Sequence, residues 1–364
     1  MQWILPRAVY DGETFLSDVA VAFENDILVA RRHISALPAE VAPKPVPEIL
    51  SPGLFDVQVN GGGGVMLNND PTPQGVRAIA AAHRSVGTAF VLPTVITDHP
   101  DVTERAADAV LAEHGRGGVL GIHIEGPHIN VARKGTHDPA RIRPFDAQTR
   151  ALLARLREHD LPVLFTVAPE TLPPGTIADL TRMGVTVAAG HTTATALQGE
   201  QALAEGLRGF THLFNAMPPM TSRAPGIAGV AINSTAYCGI IADGHHVDDR
   251  MVALAFRARP CAGRMVLVSD AMSTIAGPDR FELYGETIRV ENGKLVNANG
   301  ALAGAHIDLK TSVARLVADV GISPVEALRA ATVTPRDLMK LPRQPLLGSH
   351  RDTLYFGKLQ RHGA

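Results

Sequence analysis

The sequence predicts an α/β protein: a (β/α)8 barrel with a small β-sandwich domain built from both chain ends. Two observations point to the barrel. Eight short apolar runs recur between Leu54 and Ala271, and most are separated by amphipathic segments of helical period. Continuous apolar strands alternating with helices mark a parallel sheet covered on both faces, and eight repeats favour a closed, TIM-type barrel over an open sheet. A third observation points to the smaller domain, because both flanks change texture to short β-like pieces. The 364 residues suffice for a barrel of roughly 250 residues plus an appendage.

Residues 1–50 alternate β-like pieces with turns, as between Phe15 and Arg31, and then enter the Pro-rich stretch VAPKPVPE (41–48), which reads as an extended connector. The eight runs follow: LFDVQVN (54–60), AFVLPTV (89–95), VLGIHIEGP (119–127), VLFTVAPE (163–170), VTVAAGH (185–191), FTHLFN (210–215), CGIIADG (238–244) and MVLVSDA (265–271). Helical periodicity is clearest in residues 76–87, 102–115 and 148–160. Beyond Ala271, residues 281–300 read as β-hairpins with turns at Asn292-Gly293 and Asn299-Gly300. Helices are expected in 308–321 and 323–341, the second with Ser323 as N-cap, Pro324 in its first turn and Glu326 completing a capping box. The segment DTLYFGKL (352–359) reads as a strand that joins the N-terminal ones. The division is therefore 1–50 with 342–364 as the small β domain, and 51–341 as the barrel.

Hydrophobic residues make up 45% and charged residues 19% of the chain, with a formal net charge of -2. No basic run stands out, which argues against nucleic acid or an anionic membrane surface as a partner. Cys238 and Cys261 have no CxxC spacing and read as buried apolar fillers, in keeping with a reducing compartment. No apolar run approaches the roughly 20 residues that span a bilayer, and the N-terminus lacks a signal-peptide pattern, so a cytoplasmic location is expected.

The informative feature is where the polar residues fall. Gln58 and Asn60 end the first run, Glu125 the third, His191 the fifth, Asp243 the seventh and Asp270 the eighth, while His212 lies within the sixth. Barrel enzymes aim catalytic side chains from the C-terminal ends of strands, and burying such groups unpaired costs several kcal/mol. Glu125, His191 and His212 form a Glu/His/His set suited to one divalent ion, Zn2+ first, with Fe2+, Co2+ or Mn2+ as alternatives. Gln58 and Asn60 carry neutral amides, which are poor ligands, so a second ion is not expected. His123, two residues before Glu125, faces the same side of its strand and either orients that carboxylate or packs in the core. Asp243 either orients a neighbour or contacts substrate. The Gly61–Gly64 run lacks the GK[ST] of a P-loop and reads as tight backbone beside the metal, where contacts to substrate could differ.

The order polar pair, acid, His, His, Asp resembles the amidohydrolase superfamily. The longer motifs PGLFDVQVNGGGG (52–64), GIHIEGPHIN (121–130), RKGTHDPARIR (133–143), GHTTAT (190–195), THLFNAMPPMTSRAPGIAGVA (211–231), IADGHHV (241–247), VSDAM (268–272) and LAGA (302–305) resemble the N-acetylglucosamine-6-phosphate deacetylase family. That resemblance implies hydrolysis of the acetamide of N-acetyl-D-glucosamine 6-phosphate. Glu125, His191 and His212 would hold the metal. Asp270 would take a proton from the attacking water and later deliver one to the departing amine, and His137 would polarise the acetyl carbonyl. Thr136, Asn215, Ala216, Leu302, Ala303 and Gly304 would line the sugar pocket. Arg223 and His246 would hold the 6-phosphate, His246 reaching across from the second subunit of a homodimer. The motif selects His246 over its neighbour His245.

Three rival readings stand beside this one. The galactosamine epimer, or another N-acyl sugar phosphate, differs by a few pocket contacts. A ring-opening or deaminating amidohydrolase fits poorly with Gln58, Asn60 and the absence of a lysine in the fourth run. A non-catalytic sugar-phosphate-binding protein would have no need of Asp270 and His137 together.

Overall fold

The structure, a computed structural model, describes residues 1–359. Residues 360–364, the end of the expected C-terminal segment, lie outside the described residues. All eight apolar runs contribute strands: β1 (Leu54–Val59), β2 (Thr88–Ile96), β3 (Ile122–Glu125), β4 (Val163–Val167), β5 (Thr186–Ala189), β6 (Gly209–Phe210), β7 (Tyr237–Ile240) and β8 (Met265–Leu267). They form one eight-stranded sheet in sequence order, each parallel to the next. A parallel bridge from Val59 to Ala271 brings the first strand to the chain leaving the last. The result is a nearly closed TIM-type barrel. Helices lie between the strands, among them Pro73–Ser85, Pro100–Glu113 and Ala147–Glu158. Each starts one to three residues before its periodic stretch, because capping chemistry sets the start. Thr72 accepts the Gly75 N–H, Asp146 accepts the Thr149 N–H, and Pro73 and Pro100 occupy first turns.

The side chains of the barrel interior form layers. Leu92, Leu164, Ala188 and Val266 pack in one apolar cluster with Leu338 and Met339. Two residues further along their strands, Thr94 and Thr166 begin a polar layer completed by His123 and Thr211. His123 Nε2 lies 2.8 Å from Thr166 Oγ1 and its Nδ1 3.3 Å from Thr94 Oγ1, while Thr166 and Thr211 share a 2.7 Å hydrogen bond. Burial drives the His123 pKa down to about 4, so the ring is neutral. Of the two readings for His123, the core one holds: it bonds to threonines of its own layer and makes no hydrogen bond to Glu125. Strand alternation gives the face, but the stagger between strands decides which neighbours share a layer.

The chain ends supply a six-stranded sheet from Gln2–Tyr10, Phe15–Leu16, Val19–Glu24, Ile27–His33, Lys44–Pro52 and Leu354–Gly357. The Pro-rich stretch is more than a connector, since its second half is strand. Lys44 to Val46 pair with the N-terminal strand, and among the described residues the pairing on the other side reaches no further than Ile49. The expected hairpins span Arg280–Val296. Asn292-Gly293 turns with both residues at positive φ, and so does Tyr284-Gly285, which carried no Asn-Gly signal. Asn299-Gly300 lies instead in a wider loop closed by the Val296–Leu302 bridge. The expected helix over 323–341 breaks at Thr332 into Pro324–Ala331 and Val333–Leu338. Ser323 caps it by accepting the Glu326 N–H, but Glu326 Oε2 accepts from the Ser323 hydroxyl rather than from its backbone N–H, so the expected capping box is not closed.

Candidate active site

At the C-terminal end of the barrel, a cavity of about 190 Å3 is lined by Asn60, Glu125, Thr136, His137, His191, His212, Asn215, Ala216, His246, Asp270, Leu302 and Gly304, with Ile96, Gly135 and Met272. Larger surface cavities near Tyr237 and near Glu170 lack such a gathering of metal-capable groups. The strands deliver the key side chains through unusual backbone. His191, His212 and Asp270 all have positive φ, at 48°, 28° and 52°, as do Phe214 and Ala216 nearby. Non-glycine residues seldom adopt that region, and it concentrates at functional sites. The sixth run is strand only to Phe210, because the backbone then turns and His212 lies in the turn.

Glu125 Oε1 lies 3.2 Å from His191 Nε2 and 3.0 Å from His212 Nε2, and the two Nε2 atoms are 3.1 Å apart. All three residues are buried. A four-coordinate ion with bonds of about 2.0–2.1 Å sets neighbouring ligand atoms about 3.3 Å apart, so this triangle is the right size. His191 Nδ1 lies 2.8 Å from the Arg133 carbonyl oxygen, to which it can only donate, leaving the Nε2 lone pair free. That lone pair faces a carboxylate oxygen and a second imidazole nitrogen, an arrangement that a cation relieves. Burial alone would raise the Glu125 pKa, but the two imidazoles outweigh it and hold the carboxyl well below the usual carboxylate range. The donor set therefore fits a divalent ion.

Gln58 and Asn60 stand behind these groups as donors. Gln58 Nε2 lies 3.2 and 3.1 Å from the two Glu125 oxygens and 3.1 Å from Asp270 Oδ1, which also accepts from Asn60 Nδ2 at 2.7 Å. Asp270 Oδ1 is thus tied by two amides. Burial, then the charge of Glu125, raises the Asp270 pKa. His137 is buried against His191 with ring centroids 4.4 Å apart, and burial pushes its pKa well below the ordinary value, so it is neutral. Asp243 orients a neighbour: Oδ2 holds His246 Nδ1 at 2.6 Å and Oδ1 accepts the N–H groups of His245 and His246. His246 faces the cavity while His245 is exposed.

This placement corrects one expectation, for His246, and bears on a second, for Arg223. His246 lines the cavity of its own chain, because the short turn after β7 folds it back onto Asp243, so it need not cross from a second subunit. Arg223 is exposed and off the cavity wall, as are its neighbours in the loop. Ala303 is buried beneath the flanking Leu302 and Gly304. The Gly61–Gly64 run forms a tight hairpin, with Gly63 and Gly64 at positive φ and a Cβ on Gly61 lying 2.4 Å from the Val65 carbonyl oxygen. None of its glycines lines the cavity.

Asp56, fully buried below the site, accepts the N–H groups of Gln58 at 3.1 Å and Ser269 at 3.2 Å. Burial pushes its pKa up to about 7. A carboxyl raised on folding binds its proton more tightly in the native state. Its contribution to stability is thus full near pH 4 and is lost as pH rises through 7, by up to about 4 kcal/mol at ~1.4 kcal/mol per unit. The melting temperature of wild type relative to Asp56→Asn should accordingly fall between pH 4 and pH 7. A difference constant across that range would show that Asp56 does not titrate there.

Among known proteins, the amidohydrolase family model matches residues 49–344. An N-acetylgalactosamine-6-phosphate deacetylase of a Shewanella species is 40% identical over 80% of this chain and 74% of its own. The N-acetylglucosamine-6-phosphate deacetylase of Haemophilus influenzae is 31% identical over 79% of this chain and 76% of its own. A Mycobacterium smegmatis N-acetyl-D-glucosamine-6-phosphate deacetylase, solved as an Asp-to-Ala mutant with N-acetyl-D-glucosamine 6-phosphate, superposes with a TM-score of 0.87 at 26% identity, covering 100% of this chain and 98% of that one. On these matches the chain belongs to the amidohydrolase family, in its group of N-acetyl-amino-sugar-6-phosphate deacetylases.

Proposed function

We propose that the chain hydrolyses the acetamide of N-acetyl-D-glucosamine 6-phosphate, giving D-glucosamine 6-phosphate and acetate. The observation that carries this reading is the meeting of Glu125, His191, His212, Asp270 and His137 around one cavity. A divalent ion held by Glu125, His191 and His212, with Zn2+ the leading choice, would supply Lewis acidity toward water and the acetyl oxygen. The protein's own groups do the rest. Asp270, with Oδ1 tied by Gln58 and Asn60, keeps Oδ2 to accept a proton from water and return one to the amine nitrogen. Its raised pKa suits both transfers. His137, neutral, donates to the acetyl oxygen as charge develops there. Thr136, Asn215, Ala216, Leu302, Ala303 and Gly304 shape the sugar pocket.

His246, with Nδ1 fixed by Asp243, offers Nε2 to the phosphate, and Arg223 supplies a guanidinium fork to the same group. The exposed position of Arg223 fits a homodimer in which one chain completes the other's site. No helix among the described residues is long and apolar enough to cross a membrane, and cytoplasmic sugar-phosphate catabolism suits the substrate. The small β domain is taken as 1–50 with 342–364.

The galactosamine epimer is the second reading, favoured by the 40% identical Shewanella relative. Acetate release from the two epimeric 6-phosphates, compared by kcat/KM, decides between them. The leading reading expects at least about a tenfold preference for the gluco epimer, within the 10–200-fold that small pocket differences give. A reversed preference installs the second reading, and no release from either overturns deacetylation.

A further inference from the structure

Thr97 follows β2 and is buried, with 1% of its surface exposed. Both of its polar groups on this side meet one atom of His137. The Thr97 hydroxyl lies 2.7 Å from His137 Nδ1, and the Thr97 backbone N–H donates to the same nitrogen at 3.3 Å. A backbone N–H can only donate, so Nδ1 must be the accepting nitrogen, and the proton of the neutral ring sits on Nε2. Which ring nitrogen carries the proton is set by what the other one bonds.

Thr97 is itself firmly held. Its carbonyl accepts from the Tyr284 hydroxyl. On one side, Asn68 exchanges hydrogen bonds with the backbone of Ile96 at 3.0 and 3.1 Å. On the other, Asp98 is bound by Asn68 at 2.9 Å and paired with Arg141, whose guanidinium lies 5.0 Å above the Tyr284 ring. A Cβ on Gly126 would come within 2.3 Å of the Thr97 hydroxyl, so only glycine lets that hydroxyl sit where it does.

We propose that Thr97 is a positioning residue that fixes His137 as its Nε2–H tautomer and aims that N–H at the acetyl oxygen. This rests on the reading that His137 polarises the acetyl carbonyl. A fixed donor strengthens its bond as the oxygen becomes anionic, so its loss falls on kcat rather than on KM.

The test uses the zinc-loaded protein. The imidazole 15N resonances of His137, assigned by their loss in His137→Gln, should show Nδ1 unprotonated and Nε2 protonated. Thr97→Val should lower kcat by about tenfold or more with KM and metal content little changed, while Thr97→Ser should restore kcat to within about threefold. A protonated Nδ1 in the wild type overturns the proposal, as does an unchanged kcat in Thr97→Val or an equal loss in the Ser and Val variants. Wild-type kcat in His137→Gln instead overturns the polarising role of His137, and the catalytic part of the proposal with it, whatever the tautomer.

Discussion

Asp270→Asn is expected to lower kcat by about 10^2- to 10^4-fold, the usual worth of general acid–base catalysis, and toward the upper end because one carboxyl serves two transfers. The amide keeps the shape of the side chain, and one of its atoms can still accept from Gln58 and Asn60, which now bond to Asp270 Oδ1 at 3.1 and 2.7 Å. It cannot take a proton from water. Asp270 makes no hydrogen bond to His191 or His212, so metal content should persist and KM should move little. The variant therefore separates chemistry from metal binding. Near wild-type kcat with full metal content would show that another group is the base.

Arg223→Ala is expected to lower kcat/KM on the phosphorylated substrate by at least about a hundredfold, roughly 2.7 kcal/mol at 1.36 kcal/mol per factor of ten. A sugar 6-phosphate carries close to two negative charges, and a guanidinium meets it through paired hydrogen bonds that a lysine cannot reproduce. Activity on unphosphorylated N-acetylglucosamine should hardly change, since that substrate never used the arginine. The ratio between the two substrates is the observable, and it should collapse toward one. Equal losses on both would mean that Arg223 supports the fold. Because Arg223 stands off the wall of its own cavity, mixing Arg223→Ala with Asp270→Asn chains gives a further readout. Activity returns in the mixture only where one chain's Arg223 serves another chain's cavity.

Much of the site was legible because a barrel converts sequence position into spatial position. Glu125 ends an apolar strand, and His191 and Asp270 lie just beyond the strand ends, so their convergence follows from the fold. Gln58 and Asn60 were readable as helpers from their chemistry, since amides donate to carboxylates but bind metals poorly. What stayed hidden depended on the stagger between strands or on loop paths. The partners of His123 follow from which layer it shares, which strand alternation alone does not give. His246 was expected from a second subunit, but the turn from Asp243 to His246 holds it at its own chain's cavity. Thr97, a lone threonine after a strand, carries no signal in sequence, and Ile96 carries none either, whereas Gly135 lay inside the RKGTHDPARIR motif. Met272 lay inside the VSDAM motif and was within reach of the same reasoning that found Asp270.

In the proposed function, one ion held by Glu125, His191 and His212 makes this chain a deacetylase of amino-sugar 6-phosphates. Metal-stripped protein titrated with Zn2+ while acetate release from N-acetylglucosamine 6-phosphate is followed tests it most directly. Negligible release is expected without metal, followed by a linear rise that reaches its plateau at one ion per chain. A plateau at two tightly held ions would contradict the single-ion site and draw Gln58 or Asn60 into ligation, and full acetate release from the stripped protein would contradict a metal role altogether.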